Sequence, residues 1–268
     1  MPPSQDQKAA DFRALHEGEP FIIPNPWDPG SGKVLEALGF KALATTSSGF
    51  AFTLARPDGE TTLDELTDHV RALDRAVSVP VSVDLENGHG PAPEDAASAI
   101  ARAAETGAVG GSIEDYDRGG TIYDPGHAAE RIAAASEAAK SLSFPFTLTA
   151  RAENHIRGNP DLDDTIARLQ AYERAGADVV YAPGLRNGDE IRAVCEAVSK
   201  PVNVLAHRGL SMSEIVEAGG RRISVGGALT WVAVGAMASA AERMRDAGDF
   251  SVLAAQVRID EWLGVSRN

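Results

Sequence analysis

The chain has 268 residues, 43% of them hydrophobic, which suffices for one large domain, since α/β barrels commonly run to about 250 residues. Its 39 acidic residues against 25 basic ones give a net charge of −14, which disfavours nucleic acid or an anionic membrane as partner and fits a cytoplasmic enzyme acting on a small molecule. The polar opening Met1-Pro2-Pro3-Ser4 lacks the apolar core of a signal peptide, no run reaches membrane-spanning length, and the single cysteine, Cys195, excludes an internal disulfide.

Eight apolar, β-branched runs follow one another at 21–26, 42–47, 79–84, 109–114, 146–151, 178–183, 201–206 and 221–226. The first leads into Asn25, Trp27 and Asp28. A helical segment then ends at Ala37-Leu38-Gly39, and the second run leads into Thr46-Ser47-Ser48-Gly49. After Arg56-Pro57-Asp58-Gly59, Leu63–Leu73 carries apolar residues at three- and four-residue spacing, as a helix requires. The third and fourth runs end in acid: Asp84-Leu85-Glu86-Asn87 and Ile113-Glu114-Asp115. The fifth ends at Arg151 with Glu153 beyond, the sixth contains Tyr181, the seventh gives Asn203 and His207, and the eighth gives Ser224 and Gly226. Helical segments close on Gly39, Gly107, Gly176 and Gly219, where a left-handed residue is expected. Cys195 lies in the apparently helical Glu190–Val198 and is read as buried and inert.

Strands that alternate with helices throughout imply a parallel sheet, and eight units in this length favour a closed (β/α)8 TIM barrel, one domain over residues 1–268. No Gly-x-Gly-x-x-Gly follows the first strand, which weakens a dinucleotide-binding alternative. Residues 228–268 exceed one closing helix and are expected to form a C-terminal helical extension for oligomerisation. Its apolar residues Trp231, Val232, Val234, Met237, Leu253, Val257, Ile259 and Trp262 either cover a neighbouring subunit or pack on the same barrel.

In a barrel the strand ends meet at one face, so Asp84, Glu86 and Glu114 converge near Arg151 and the hydroxyl-glycine turn. Hard carboxylate oxygens at strand ends suit Mg²⁺, which stabilises a developing enolate. Asn25-Pro26-Trp27-Asp28, Thr46–Gly49, Asp84–Gly90, Ile113-Glu114-Asp115, Ala150-Arg151, Ala171–Asp178, Pro201–Val204 and Arg222–Gly227 resemble, in this order, the isocitrate lyase and phosphoenolpyruvate mutase superfamily. The resemblance spans about residues 20 to 245.

It implies a barrel that uses Mg²⁺, or Mn²⁺ in its place, on 2-oxo acids or related α-hydroxy acids. It further implies a homo-oligomer, a dimer of dimers that exchanges its last helices between subunits. Carried over by position, Asp84 is the direct metal ligand, and Asp58, Glu86 and Glu114 hold metal-bound waters. Ser48 and Gly49 bind the substrate carboxylate, Arg151 pairs with the developing oxyanion, and Trp27 and Asn203 line the pocket. Asp58 also admits a plain turn role. His207 and His89 are either proton donors or surface histidines.

The superfamily's isocitrate and methylisocitrate lyases carry Lys-Lys-Cys-Gly-His in the loop after the Glu-Asp strand. Here the loop reads Tyr116-Asp117-Arg118-Gly119-Gly120-Thr121-Ile122-Tyr123-Asp124, without cysteine, which argues against both activities. Loss of CO₂ from a 3-carboxy-2-oxo acid needs no base for its bond-breaking step, so the expected chemistry is carbon–carbon cleavage of the oxaloacetate decarboxylase type. The alternatives are phosphonopyruvate-type phosphorus–carbon chemistry, for which only Thr121 is available in the loop, and a barrel that binds a 2-oxo acid without turnover. A Schiff-base aldolase is poorly supported, because no strand run ends in lysine.

Overall fold

The computed structural model describes residues 2–254 and 258–264. Its strands are β1 (Phe21–Ile22), β2 (Leu43–Ala44), β3 (Val81–Asp84), β4 (Gly110–Glu114), β5 (Thr147–Arg151), β6 (Val179–Tyr181), β7 (Val202–Leu205) and β8 (Arg222–Ser224). All pair in parallel in the order β1-β8-β7-β6-β5-β4-β3-β2, and every strand falls inside its expected run. This is the (β/α)8 barrel. Each strand is shorter than its run; β3, β4 and β5 keep the last residue of theirs, whereas the other five stop short of it and the remaining residues build the loops of one face.

The seam between β1 and β2 has no ladder of its own. Pro24 and Pro26 lack N–H donors and limit β1 to two residues. Ala44 N donates to Pro24 O at 3.1 Å, and Asn25 Nδ2 donates to Thr45 O at 3.0 Å. Asn25 Oδ1 also accepts from Val225 N at 2.9 Å and Gly226 N at 3.0 Å. One buried amide thus ties β1 to both neighbours.

The helices are α1 (Gln5–Glu17), α2 (Pro29–Ala37), α3 (Ser47–Thr53), α4 (Leu63–Ala76), α5 (Pro93–Ala104), α6 (Pro125–Lys140), α7 (Leu162–Arg174), α8 (Gly188–Ala197), α9 (Met212–Glu217), α10 (Ala228–Ala247) and α11 (Ile259–Leu263). Asp28, Thr62 and Ser211 start α2, α4 and α9 with reciprocal capping boxes. Gly39, Gly107, Gly176 and Gly219 take φ between +91° and +104°, the left-handed conformation expected where those helices end.

Three features depart from the sequence reading. The 42–47 run does not stay extended: Thr46 caps α3, so Ser47, Ser48 and Gly49 form a helical first turn. The N-terminal segment, read only as polar, is α1, which buries Phe12 with Phe21, Ile23, Ala42 and Val109. Lys8 on the same helix pairs with Asp74 at 2.8 Å. The C-terminal extension divides: α11 packs on α2 of the same chain, whereas α10 buries only Thr230 and leaves Trp231, Val232 and Met237 exposed. Val257 lies outside the described residues. Among the described residues no helix is long and apolar enough to cross a membrane.

Candidate active site

Lateral pairing places Glu114 beside Arg151, Arg151 beside Tyr181, Tyr181 beside Asn203 and Asn203 beside Arg222. Neighbours in such a row share a face, so a polar band runs inside the barrel from β4 to β8. A cavity of about 240 Å³ opens over it, lined by Ser48, Asp58, Asp84, Arg151, Asn203 and Arg222 among others. A second cavity of about 340 Å³ adjoins it and is lined by Glu86, Glu114, Tyr116 and Arg118; Ser47, Asp58, Arg151 and Arg157 line both.

Arg151 is the hub. Its Nη1 lies 2.8 Å from Asp84 Oδ1, and its Nη2 lies 2.8 Å from Glu114 Oε2 and 2.7 Å from Glu153 Oε1. Its guanidinium sits 5.3 Å from the Tyr181 ring centroid. Burial opposes its charge, but Glu114, Glu153 and Asp84 together raise its pKa well above the usual value. Glu114 is pushed well above the ordinary carboxylate range by burial, which Arg151 opposes and Glu153 and Asp84 reinforce.

Asp84 is fixed by its backbone N–H to Thr45 Oγ1 at 2.9 Å. Its Oδ2 receives only a long 3.3 Å bond from Ser47 N, leaving that oxygen open on the cavity side. Glu86 is held at φ +50°, and His89 in the same loop at φ +62°. A non-glycine residue in this region costs about 1–3 kcal/mol, and such strain collects at functional loops. Both Glu86 oxygens lie 3.3 Å from Arg118 Nη2. Burial pushes the Glu86 carboxyl up to about 7, with Arg118 opposing and Asp84 and Asp58 adding repulsion. Asp58 stands at the rim, where desolvation raises its pKa, a hydrogen bond with Ser47 lowers it, and Asp84 raises it.

Four carboxylates around two joined cavities, three of them raised by lost water and mutual repulsion, are the hard-oxygen environment that a divalent cation relieves. Among the described residues no three of them converge as a ready-made ligand cluster.

Of the residues named from sequence, Ser48, Asp58, Asp84, Arg151 and Asn203 line the central cavity, and Glu86 and Glu114 line its neighbour. Trp27, Gly49 and His207 line neither. The Gly49 N–H already donates to Thr46 Oγ1 at 3.3 Å, and a Cβ there would fall 2.7 Å from Thr230 Oγ1. Gly49 is thus a packing point between α3 and α10. Trp27 donates its backbone N–H to Ser31 at the start of α2, and His207 sits on a separate depression beside Leu205 and Arg186. Asp115 turns away from the cavities: it accepts from Glu153 N at 2.7 Å, Arg168 Nη1 at 2.9 Å and Tyr172 Oη at 2.5 Å.

Sequence reasoning missed Ser112, Arg118, Arg157 and Arg222. Ser112 Oγ lies 3.5 Å from Asp84 Oδ1, and Arg157 bonds Glu153 Oε2 at 3.1 Å while lying 3.9 Å from the Tyr116 ring centroid. Loop residues such as Arg118 and Arg157 carry no periodic signal. Arg222 did carry one: a charge opening the short strand Arg222-Ile223-Ser224 must point somewhere.

The phosphoenolpyruvate phosphomutase family matches residues 12–245. A solved structure from Burkholderia cenocepacia J2315, provisionally described as a lyase/mutase, is 52% identical with a TM-score of 0.92, covering 96% of this chain and 95% of that one. The oxaloacetate decarboxylase of Bradyrhizobium sp. BTAi1 is 30% identical over 80% of this chain and 76% of its own length. The structure of oxaloacetate acetylhydrolase with its product oxalate is 25% identical with a TM-score of 0.87, covering 98% of this chain and 95% of that one.

Proposed function

This chain belongs to the phosphoenolpyruvate phosphomutase family, and we propose that it is a Mg²⁺-dependent lyase cleaving a carbon–carbon bond of a 2-oxo acid, or of a related hydroxy acid, through an enolate. Its nearest chemistry is that of the oxaloacetate decarboxylases to which it is similar. The observation that carries this reading is Arg151, gripped by Asp84, Glu114 and Glu153 where the two cavities adjoin.

When bound, Mg²⁺ supplies a Lewis acid that draws electrons from the substrate carbonyl. Asp84 would hold it directly, and Asp58, Glu86 and Glu114 would hold its waters. Arg151 is already oriented by three carboxylates, so it can meet developing negative charge without reorganising. Ser48 and Asn203 bind and orient the acid along the cavity wall. The Tyr116–Asp124 loop contributes no thiol. Cys195 sits in α8 beside Gly219, with its thiol pushed up to about 11 by burial. Loss of CO₂ needs no base in its bond-breaking step, which suits this site.

A second reading, phosphorus–carbon cleavage of a phosphonopyruvate-type acid, is favoured by one feature: Arg118 and Arg157 both face the second cavity, where they could meet a phosphoryl group. The homo-oligomer, a dimer of dimers with exchanged C-terminal helices, would cover the apolar face that α10 leaves open.

A panel of oxaloacetate, branched malates and phosphonopyruvate, each with Mg²⁺ and then with chelator, tests the reading. Chelator-sensitive CO₂ or 2-oxo acid release supports it, and phosphate release from phosphonopyruvate alone replaces it with the second reading. No turnover of any member, with ligand-induced stabilisation, would leave a binding role.

A further inference from the structure

Arg222 ends the polar row inside the barrel, 5% exposed, and lines the central cavity. Its Nε donates to Asn203 Oδ1 at 2.8 Å, and its Nη1 lies 3.4 Å from His16 Nε2. Among the described residues no carboxylate forms an ion pair with it, and no hydrogen bond reaches its Nη2. His16 does not supply the missing charge. Its Nδ1 lies 2.8 Å from Phe12 O, which assigns the proton to Nδ1 and leaves Nε2 as an acceptor. Burial, then the Arg222 charge, drive the His16 pKa down to about 3, so the ring is neutral. Burial lowers Arg222 to about 10, with only Tyr181 acting the other way, so it stays charged at neutral pH.

Arg151 is the opposite case. Asp84, Glu114 and Glu153 all lie within 2.8 Å of its guanidinium. A buried charge left unpaired is costly, and such a charge on a cavity wall is stabilised when an anionic ligand arrives.

We propose that Arg222 is the specificity-determining residue that selects doubly charged acids. Of the three arginines that line the cavity it is the one without a carboxylate partner among the described residues, and it also positions Asn203. Because Asn203 Oδ1 is tied to Arg222 while Nδ2 donates to Ser224 Oγ at 2.9 Å, the amide offers the cavity only N–H, which suits an anion. This rests on reading the cavity as a 2-oxo acid site, and it names the side chain that recognises the second negative charge of such acids.

Calorimetric titration of the Mg²⁺-loaded full chain with oxalate, a dianion, and oxamate, a monoanion of nearly the same shape, separates charge from fit. Arg222→Gln is expected to weaken oxalate about tenfold or more and oxamate clearly less. His16→Glu sets a carboxylate beside Arg222 from outside the cavity wall. It is expected to give the same preferential loss, while His16→Gln leaves the oxalate-to-oxamate ratio unchanged. Melting curves establish that each variant is folded, and His16→Glu keeps the test open if Arg222→Gln does not fold. An unchanged ratio in a folded Arg222→Gln or His16→Glu variant overturns the proposal. Failure of the unmodified protein to bind oxalate with Mg²⁺ overturns the reading of the site and this inference with it.

Discussion

Asp115 stands next to Glu114 in sequence yet does different work, and Asp115→Asn exposes the difference. The carboxylate is 2% exposed and takes three hydrogen bonds, from Glu153 N, Arg168 Nη1 and Tyr172 Oη. An asparagine keeps one acceptor, so its NH₂ must face either the Glu153 N–H or the Arg168 guanidinium, and in both cases Arg168 loses a buried counter-charge. Breaking a buried pair on one side costs about 3–5 kcal/mol. Asp164, 3.0 Å from Arg168 Nε, retains part of the compensation, so the expected loss is about 2–4 kcal/mol. For a domain of this size that corresponds to a Tm lower by roughly 5–15 °C. Tyr172→Phe removes one bond of the three and should cost about 1–2 kcal/mol. Urea and thermal melts of both variants provide the measurement. An Asp115→Asn protein within about 0.5 kcal/mol of the unmodified chain would refute the assignment of Asp115 as a clamp between β4, the β5 loop and α7.

Arg151→Met should lower turnover by about a hundredfold or more, as loss of an oxyanion donor does; steady-state rates with turnover within tenfold of normal would remove Arg151 from the reaction. Acid sensitivity should come from His16 and His69, whose folded pKa values burial lowers to about 3 and about 4 from 6.5. Because the unfolded chain binds these protons first, their contribution is complete above about pH 6.5 and is lost as the pH falls toward 4 and then 3, by up to about 5 kcal/mol for His16 and about 3 kcal/mol for His69. Replacing both with glutamine should flatten that part of the stability curve, and an unchanged slope would contradict the assignment. Gly110→Ala places a Cβ 2.7 Å from Phe12 Cε1 and 3.0 Å from Thr147 O. It should cost about 1–3 kcal/mol in a denaturant melt.

The barrel was legible because its signals are local: eight β-branched runs, and glycines where the helices before β2, β4, β6 and β8 end. The place of Asp84 on the cavity was legible for the same reason, since it closes a strand and strand ends meet at one face. What stayed hidden depends on direction. Glu114 and Asp115 are one residue apart, so one faces the cavity and the other the helices, and no composition rule says which is which. Gly49 read as a carboxylate cradle, but its N–H is taken by Thr46 and its missing side chain makes room for Thr230. His207 follows a strand as a site residue should, yet its loop carries it to another depression. Arg157 and Arg118 act from loops whose placement depends on tertiary contacts. Arg222 is the instructive omission, because a cation opening an interior strand is itself a signal.

On the proposed reading, Asp84 makes this cavity a Mg²⁺ site for carbon–carbon cleavage. Turnover of the best acid in the panel, titrated with Mg²⁺ in the unmodified protein and in Asp84→Ala, measures it most directly. Saturable Mg²⁺ dependence is expected in the unmodified protein and none in a folded Asp84→Ala protein. Activity in that variant, or activity indifferent to chelator, would contradict it.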